Sequence, residues 1–331
     1  MQTGIGWLRQ VNAAKAWCGQ IIPEASMTAV PAAVAPQTTM TARDWGQLLL
    51  LGAIWGGSFF FARIAVAEIP PLTLVLFRVA IAAIALHVYL LARGPSFKLA
   101  LPHAASFFLL ALLNNVIPFS LIFAGQTVLG AGLASVLNAT TPFWTLIVAN
   151  ALTSDEKLSW NKVAGILLGI AGTAVMIGPG LIAGLGGPVW AKFALVGASL
   201  SYAFALIVAR RFKGVPPSVV AAGQLTASTV MMLPVVLIMH GTAGLFEASA
   251  PVWTAVLALA LVSTAFAYIL YFNVIASAGA TNASLVTLIV PASAILLGLV
   301  FLGERLDLFE LAGMALIAFG LVTIDGRLFR R

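Results

Sequence analysis

Residues 130–158 read GAGLASVLNATTPFWTLIVANALTSDEKL, and residues 279–306 read GATNASLVTLIVPASAILLGLVFLGERL. Both begin Gly-Ala, and both end on Glu, a basic residue and Leu. Ser135, Asn138 and Pro142 of the first recur as Ser284, Thr287 and Pro291, each 149 positions later. Spacing of i, i+3 and i+7 sets each trio on one face of a helix. Each helix is otherwise apolar, so a polar stripe with a proline is built twice into hydrophobic segments. A solute path through a membrane needs such a stripe, although two matching packing faces would also produce it.

The rest of the chain is made of the same material. Hydrophobic residues are 61% of the sequence and charged residues 8%, with a mean hydropathy of +1.07; soluble domains carry roughly 25% charged residues. Ala104–Ser154 and Ala248–Gly303 run for 51 and 56 residues without Asp, Glu, Lys or Arg. A membrane helix needs about 20 residues, so each run holds two spans. Long apolar runs without period-2 alternation argue for helices rather than a barrel.

Ten spans are expected, at 45–66, 71–91, 102–123, 131–152, 161–179, 190–209, 218–240, 251–275, 280–302 and 308–325. Breakers separate them: Pro70-Pro71, Gly94-Pro95, Gly130, Gly178-Pro179-Gly180, Gly186-Gly187-Pro188, Pro216-Pro217, Gly241 and Gly279. Residues 1–40 read as a disordered leader without function, or as an over-long start ahead of Met27 or Met40. With a cytoplasmic N-terminus, 13 of the 17 basic residues fall in cytoplasmic segments. Only Arg63, Lys192 and Arg305 fall outside and Arg78 within span 2, so both termini are expected in the cytoplasm. The net charge of +7 therefore encodes orientation rather than nucleic-acid binding. Cys18 is the only cysteine, which excludes an intrachain disulfide and a Cys-rich metal site. No cofactor is expected.

The echo extends through most of the chain. Asn115–Ala131 lies over Thr264–Ala280 at the same offset, and Glu156, Gly165 and Gly172 match Glu304, Gly313 and Gly320 at 148. Gly52-Ala53 and Phe59 match Gly197-Ala198 and Phe204 at 145. Two repeats, 41–180 and 188–327, thus hold five spans each. Five is odd, so the copies cross the membrane in opposite senses, as in transporters with a midplane solute site.

Trp55-Gly56-Gly57-Ser58-Phe59, Phe77-Arg78 and the paired Ala…Pro…Glu-(Lys/Arg)-Leu blocks resemble motifs of EamA-type transporters in the drug/metabolite transporter superfamily. The similarity covers residues 43–327. It implies ten helices as two inverted five-helix EamA repeats and export of small metabolites across the bacterial inner membrane. Within the family the chain is most similar to the YddG type of amino-acid exporter, which handles aromatic and other neutral amino acids. One departure concerns coupling: related small multidrug transporters carry a Glu in their first helix, whereas no acid lies between Asp44 and Glu68 here.

The expected cavity lining is Trp55, Ser58, Phe59, Asn115, Asn138, Thr264, Tyr268, Tyr271 and Thr287. Amides and hydroxyls suit a zwitterion without placing a fixed charge in the membrane, and the aromatic side chains supply apolar walls. Asn114 is ranked lower because its side chain points about 100° from that of Asn115. Arg78 reads either as a gate or carboxylate anchor, or as a side chain snorkelling outward to Glu68. Pro142 and Pro291 free the carbonyls of Asn138 and Thr287 and read as hinges. Gly165, Gly169 and Gly172 form a small-residue packing face, and a homodimer contact there is the alternative. His87, His103 and His240 form no shared motif.

Small solutes and lipid are the expected partners, with the chain as a monomer or homodimer. An intramembrane enzyme would need a nucleophile with its base, paired Asp or a zinc motif, and the spans contain none. A channel is the other alternative, distinguished by flux that does not saturate.

Overall fold

The computed structural model describes residues 40–152, 160–183, 188–278, 283 and 285–325. The leader before Met40, with Cys18 and Met27, and the echo residues Glu156, Gly279, Ala280 and Ser284 lie outside the described residues. Among the described residues all regular structure is helical.

The first four helices are α1 (Ala42–Ala65), α2 (Pro71–Arg93), α3 (Phe97–Gln126) and α4 (Ala131–Leu152). They are followed by α5 (Trp160–Ala183), α6 (Val189–Ala209) and α7 (Pro217–His240). The last three are α8 (Ala250–Ile275), α9 (Val286–Leu302) and α10 (Leu308–Asp325). Seven of them, all but α5, α9 and α10, are long and apolar enough to cross a membrane. Those three contribute the shorter apolar stretches Trp160–Met176, Ile289–Leu302 and Leu308–Ile324. The ten fall on the ten expected spans.

Local chemistry explains the ends. Thr41 and Asp44 form a reciprocal capping box that opens α1. Pro71 and Pro217 occupy first-turn positions, where a missing N–H costs nothing. Gly303 closes α9 at φ +65°, a left-handed conformation that glycine adopts without strain.

The main helix contacts join one half of the chain to the other. They are α1 with α8 and α9, α6 with α3 and α4, α2 with α7 and α8, α3 with α7, α4 with α9, and α5 with α10. Exchanging each helix for its counterpart five places along maps this set onto itself. The halves are therefore interleaved, and neither forms a separate bundle.

Two sets of contacts give the sense of the repeats. At one end of α2, Thr73 Oγ1 lies 2.9 Å from His240 Nδ1, and at the other His87 Nε2 lies 2.9 Å from Thr226 Oγ1. Moving up α2 from 73 to 87 thus means moving down α7 from 240 to 226. The Thr226 hydroxyl also donates to the Ala222 carbonyl at 2.8 Å, so His87 is the donor of its pair. Glycines repeat the pattern between α5 and α10. A methyl group at Gly165 would stand 2.7 Å from the Gly320 carbonyl oxygen, and one at Gly172 2.6 Å from that of Gly313. Both helix pairs are antiparallel counterparts, so the repeats are inverted. The small-residue face of α5 is thereby used within the chain.

This arrangement predicts cross-linking in a Cys18→Ser background. Cysteine pairs at positions 73 and 240, and at 87 and 226, should each be bridged by a short thiol cross-linker. A pair at 73 and 226 should not, and parallel repeats would give the opposite pattern.

Candidate functional site

Asn114, Asn115 and Thr264, three of the polar side chains that meet inside the bundle, are carried by two matched irregularities. In α3, residues Leu112–Val116 form a π-helical turn, and in α8 so do Ala258–Phe266. The two overlap at the repeat offset of 149, which pairs Asn115 with Thr264. Pro118 has no N–H to give the Asn114 carbonyl, and the Ile117 N–H bonds instead to Leu112, five residues back. In α8 the Thr264 hydroxyl donates to the Leu259 carbonyl at 2.8 Å, again five residues back. Such wide turns recur at functional sites because they re-aim side chains toward the interior.

The re-aiming is visible at the adjacent asparagines. Asn115 is fully buried, and its Nδ2 donates to Ser228 Oγ on α7 at 2.9 Å. Asn114 Nδ2 donates to Gln224 Oε1 on α7 at 2.9 Å and to the Tyr268 hydroxyl on α8 at 3.4 Å. The expected ranking of the two is thus changed: Asn114 joins the interior cluster, and Asn115 sits in the α3–α7 interface.

Arg78 is the centre of that cluster and is 8% exposed. Its Nε donates to Thr264 Oγ1 at 3.0 Å, and its guanidinium carbon lies 3.8 Å from the centre of the Phe119 ring and 5.7 Å from that of Phe123. A desolvated cation over an aromatic face gains about 2 kcal/mol. The outward-snorkelling reading is corrected here. Glu68 is engaged elsewhere, accepting from the Ser249 N–H at 2.6 Å and the Ser249 hydroxyl at 2.7 Å. These bonds, the backbone one foremost, hold its carboxyl below the usual carboxylate range.

Tyr202 on α6 and Tyr268 lie within electrostatic reach of Arg78. Both side chains are partly exposed. Trp55 packs on Tyr271 with ring centres 5.2 Å apart, extending an aromatic wall along α1 and α8. Gln224 is the residue to which Arg78 maps in the second repeat. Each stands seven residues into its helix, from Pro71 and from Pro217, so the two approach the middle from opposite faces.

The other predicted residues are placed around this centre. Ser58 is buried on α1, and the buried Phe59 offers its carbonyl to Gln126 Nε2 at 2.8 Å. Thr287 is half-buried on α9, and Pro291 is inside that helix. Asn138 ends the first half of α4, and its amide oxygen is buried without a hydrogen-bond partner among the described residues. Before Pro142 the helix breaks between Asn138 and Thr141 rather than bending. The freed Asn138 carbonyl accepts from the hydroxyls of Thr141 at 2.7 Å and Ser199 at 3.2 Å. Lys192, near the start of α6, is fully buried, with Nζ donating to the Met176 carbonyl at 2.8 Å.

One face holds a hollow of about 750 Å³, at the α1–α2, α3–α4, α7–α8 and α9–α10 junctions. This is the face opposite the start of α1 and the end of α10. There the Glu304 carboxylate accepts from the N–H groups of Ala131 at 2.7 Å and Gly132 at 3.1 Å, capping α4. Arg63 donates to the carbonyls of Gln126 at 2.7 Å and Thr127 at 3.0 Å, closing the end of α3. Among the described residues no group of three His, Cys, Asp or Glu side chains could hold a metal ion.

A model of the EamA-like transporter family matches this chain twice, over residues 45–178 and 189–324. The chain belongs to the EamA-like transporter family. Relatives include the uncharacterized inner membrane transporter YedA of Escherichia coli K12, 29% identical over 85% of this chain and 90% of that one. The uncharacterized transporter YoaV of Bacillus subtilis is 24% identical, over 81% and 91%. A "Probable terminal-alkyne amino-acid exporter" of Streptantibioticus cattleyicolor is 28% identical over 62% of this chain and 68% of its own length. One chain of known crystal structure superposes with a TM-score of 0.61 at 21% identity, covering 85% of this chain and 98% of that one. Like other members of the EamA-like family, the protein is an integral membrane transporter.

The Glu304 cap yields a stability prediction. Glu304→Ala should cost about 1 kcal/mol, the usual worth of an N-terminal cap, and lower the midpoint of heat unfolding in detergent. An unchanged midpoint would remove the cap from the account.

Proposed function

We propose that the protein is an inner-membrane exporter of small metabolites, with aromatic and other neutral amino acids as its solutes. It works by alternating access around the Arg78 hollow and carries out no catalysis. The observation that carries the reading is the enclosed cluster of one guanidinium, amides and hydroxyls with aromatic walls, between inverted repeats. Its chemistry suits an amino acid, and the amino-acid exporter among its relatives points the same way. Trp55, Asn114, Asn138, Gln224, Thr264, Tyr202 and Tyr268 bind the solute in this reading, and both termini face the cytoplasm. The proposed partners are the solute and lipid, and a monomer suffices.

The moving bodies follow the helix contacts rather than the order of the chain. Seryl hydroxyls tie α1 to α8 and α9, with Ser263 donating to the Ile54 carbonyl at 3.1 Å and Ser293 to that of Gly52 at 2.9 Å. Two other seryl hydroxyls, both on α6, tie α6 to α3 and α4, with Ser201 donating to the Leu113 carbonyl at 2.7 Å and Ser199 to the Leu137 carbonyl at 3.2 Å. We take these two three-helix sets as the bodies that rock about the α2–α7 pair. The break before Pro142 and the proline-bearing α9 at Pro291 serve as hinges.

Counterflow in proteoliposomes preloaded with neutral amino acids tests the function. Saturable exchange is expected, and flux that never saturates would favour a channel. Asn138→Leu should lower saturable uptake by about tenfold, the equivalent of one lost hydrogen bond. Unchanged kinetics would make Asn138 structural.

A further inference from the structure

The described acids of the protein stand at helix ends or in the connections between helices: Asp44, Glu68, Glu247, Glu304, Asp307, Glu310 and Asp325. Among the described residues none is paired with Arg78. A guanidinium carries five N–H donors in a planar fork, and only Nε is used, by Thr264. Nη1 and Nη2 have no hydrogen-bond partner among the described residues, yet neither is sealed from accessible space. Phe119 covers the flat side of the group at 3.8 Å. A ligand is thereby directed to the open edge of the fork, where two parallel N–H groups match the two oxygens of a carboxylate.

We propose that Arg78 docks the carboxylate of the transported solute through Nη1 and Nη2, and that a carboxylate, not an ammonium, is the group a solute must carry. This rests on the carrier reading above and specifies its substrate class. The uncompensated positive charge attracts an anionic group and repels a free amine. Thr264 positions the fork by holding Nε and is itself held by the wide turn of α8 through its bond to Leu259. Tyr202 and Tyr268 lie within electrostatic reach of the same guanidinium. An ammonium group, where present, is served by the amide oxygens and hydroxyls around Asn114. The aromatic wall takes the side chain.

The test is competition against counterflow of labelled phenylalanine by the unmodified protein. Hydrocinnamate keeps the ring and the carboxylate but lacks the amine. Phenethylamine keeps the ring and the amine, and phenylalanine methyl ester masks the carboxylate. Hydrocinnamate should compete within about tenfold of phenylalanine, and the amine and ester at least about 100-fold more weakly, as for loss of a buried charge pair. In Arg78→Gln the half-saturation for phenylalanine should rise by about 100-fold, and the preference for acid over ester should vanish. Equal competition by the ester or the amine, with saturable phenylalanine exchange intact, would overturn the docking and leave the carrier standing. Absence of saturable phenylalanine exchange in the unmodified protein would remove the amino-acid reading and the docking with it.

Discussion

A guanidinium inside an apolar helix bundle has to find its partners within the protein. Placing an Arg at the middle of a membrane helix costs about 3 kcal/mol on insertion scales. A desolvated contact with an aromatic face returns about 2 kcal/mol, and a hydrogen bond to a charged group about 1.5–3 kcal/mol. Arg78 has one of each, from Phe119 and Thr264, so its burial is close to balanced without a carboxylate. The α2–α8 contact and the wide turn in α8 place Thr264 against that side chain. Its terminal nitrogens remain available, and the proposed chemistry follows from that.

Interleaving of the halves supplies the frame. The α2–α7 pair is bonded at both ends, about 21 Å apart by helix rise, through Thr73 with His240 and His87 with Thr226. The α5–α10 pair is closed by glycines that bring backbones together. Between them, two three-helix sets are each tied internally by seryl hydroxyls. The echo that organises the sequence also closes on itself in space. Glu304, which ends the second copy, caps the helix that begins the first at Ala131. The counterpart residues Glu156, Gly279 and Ala280 lie outside the described residues.

Much of the fold was legible in the chain because lipid imposes length and apolarity on each span. Pro70-Pro71, Gly130, Pro216-Pro217 and Gly241 then mark where helices cannot continue. The odd number of spans per repeat gave inversion, which the antiparallel α2–α7 and α5–α10 contacts bear out. The candidate site was read less completely, for a physical reason. A regular 100° step sets Asn114 apart from Asn115, but the wide turn caused by Pro118 lets both reach α7. Tyr202 carries no repeat signal and becomes a neighbour of Arg78 only through packing, whereas Phe119 lies over Tyr268 at the offset of 149. Position 78 maps near Gly223-Gln224 in the second repeat, so the match is legible there and only the charge is not duplicated. Snorkelling of Arg78 was plausible from helix length alone and fails because aromatic rings wait for it inside. Lys192 turns inward likewise, toward the carbonyl of Met176.

The central claim is a solute-accessible hollow reached from one face at a time. The most direct measurement is labelling of a single cysteine at Tyr268, in a Cys18→Ser background, by a small membrane-impermeant thiol reagent added to either face of oriented proteoliposomes. The account predicts reaction from both faces and slower reaction when phenylalanine is present. A cysteine there that reacted from neither face, or at a rate phenylalanine did not change, would contradict it.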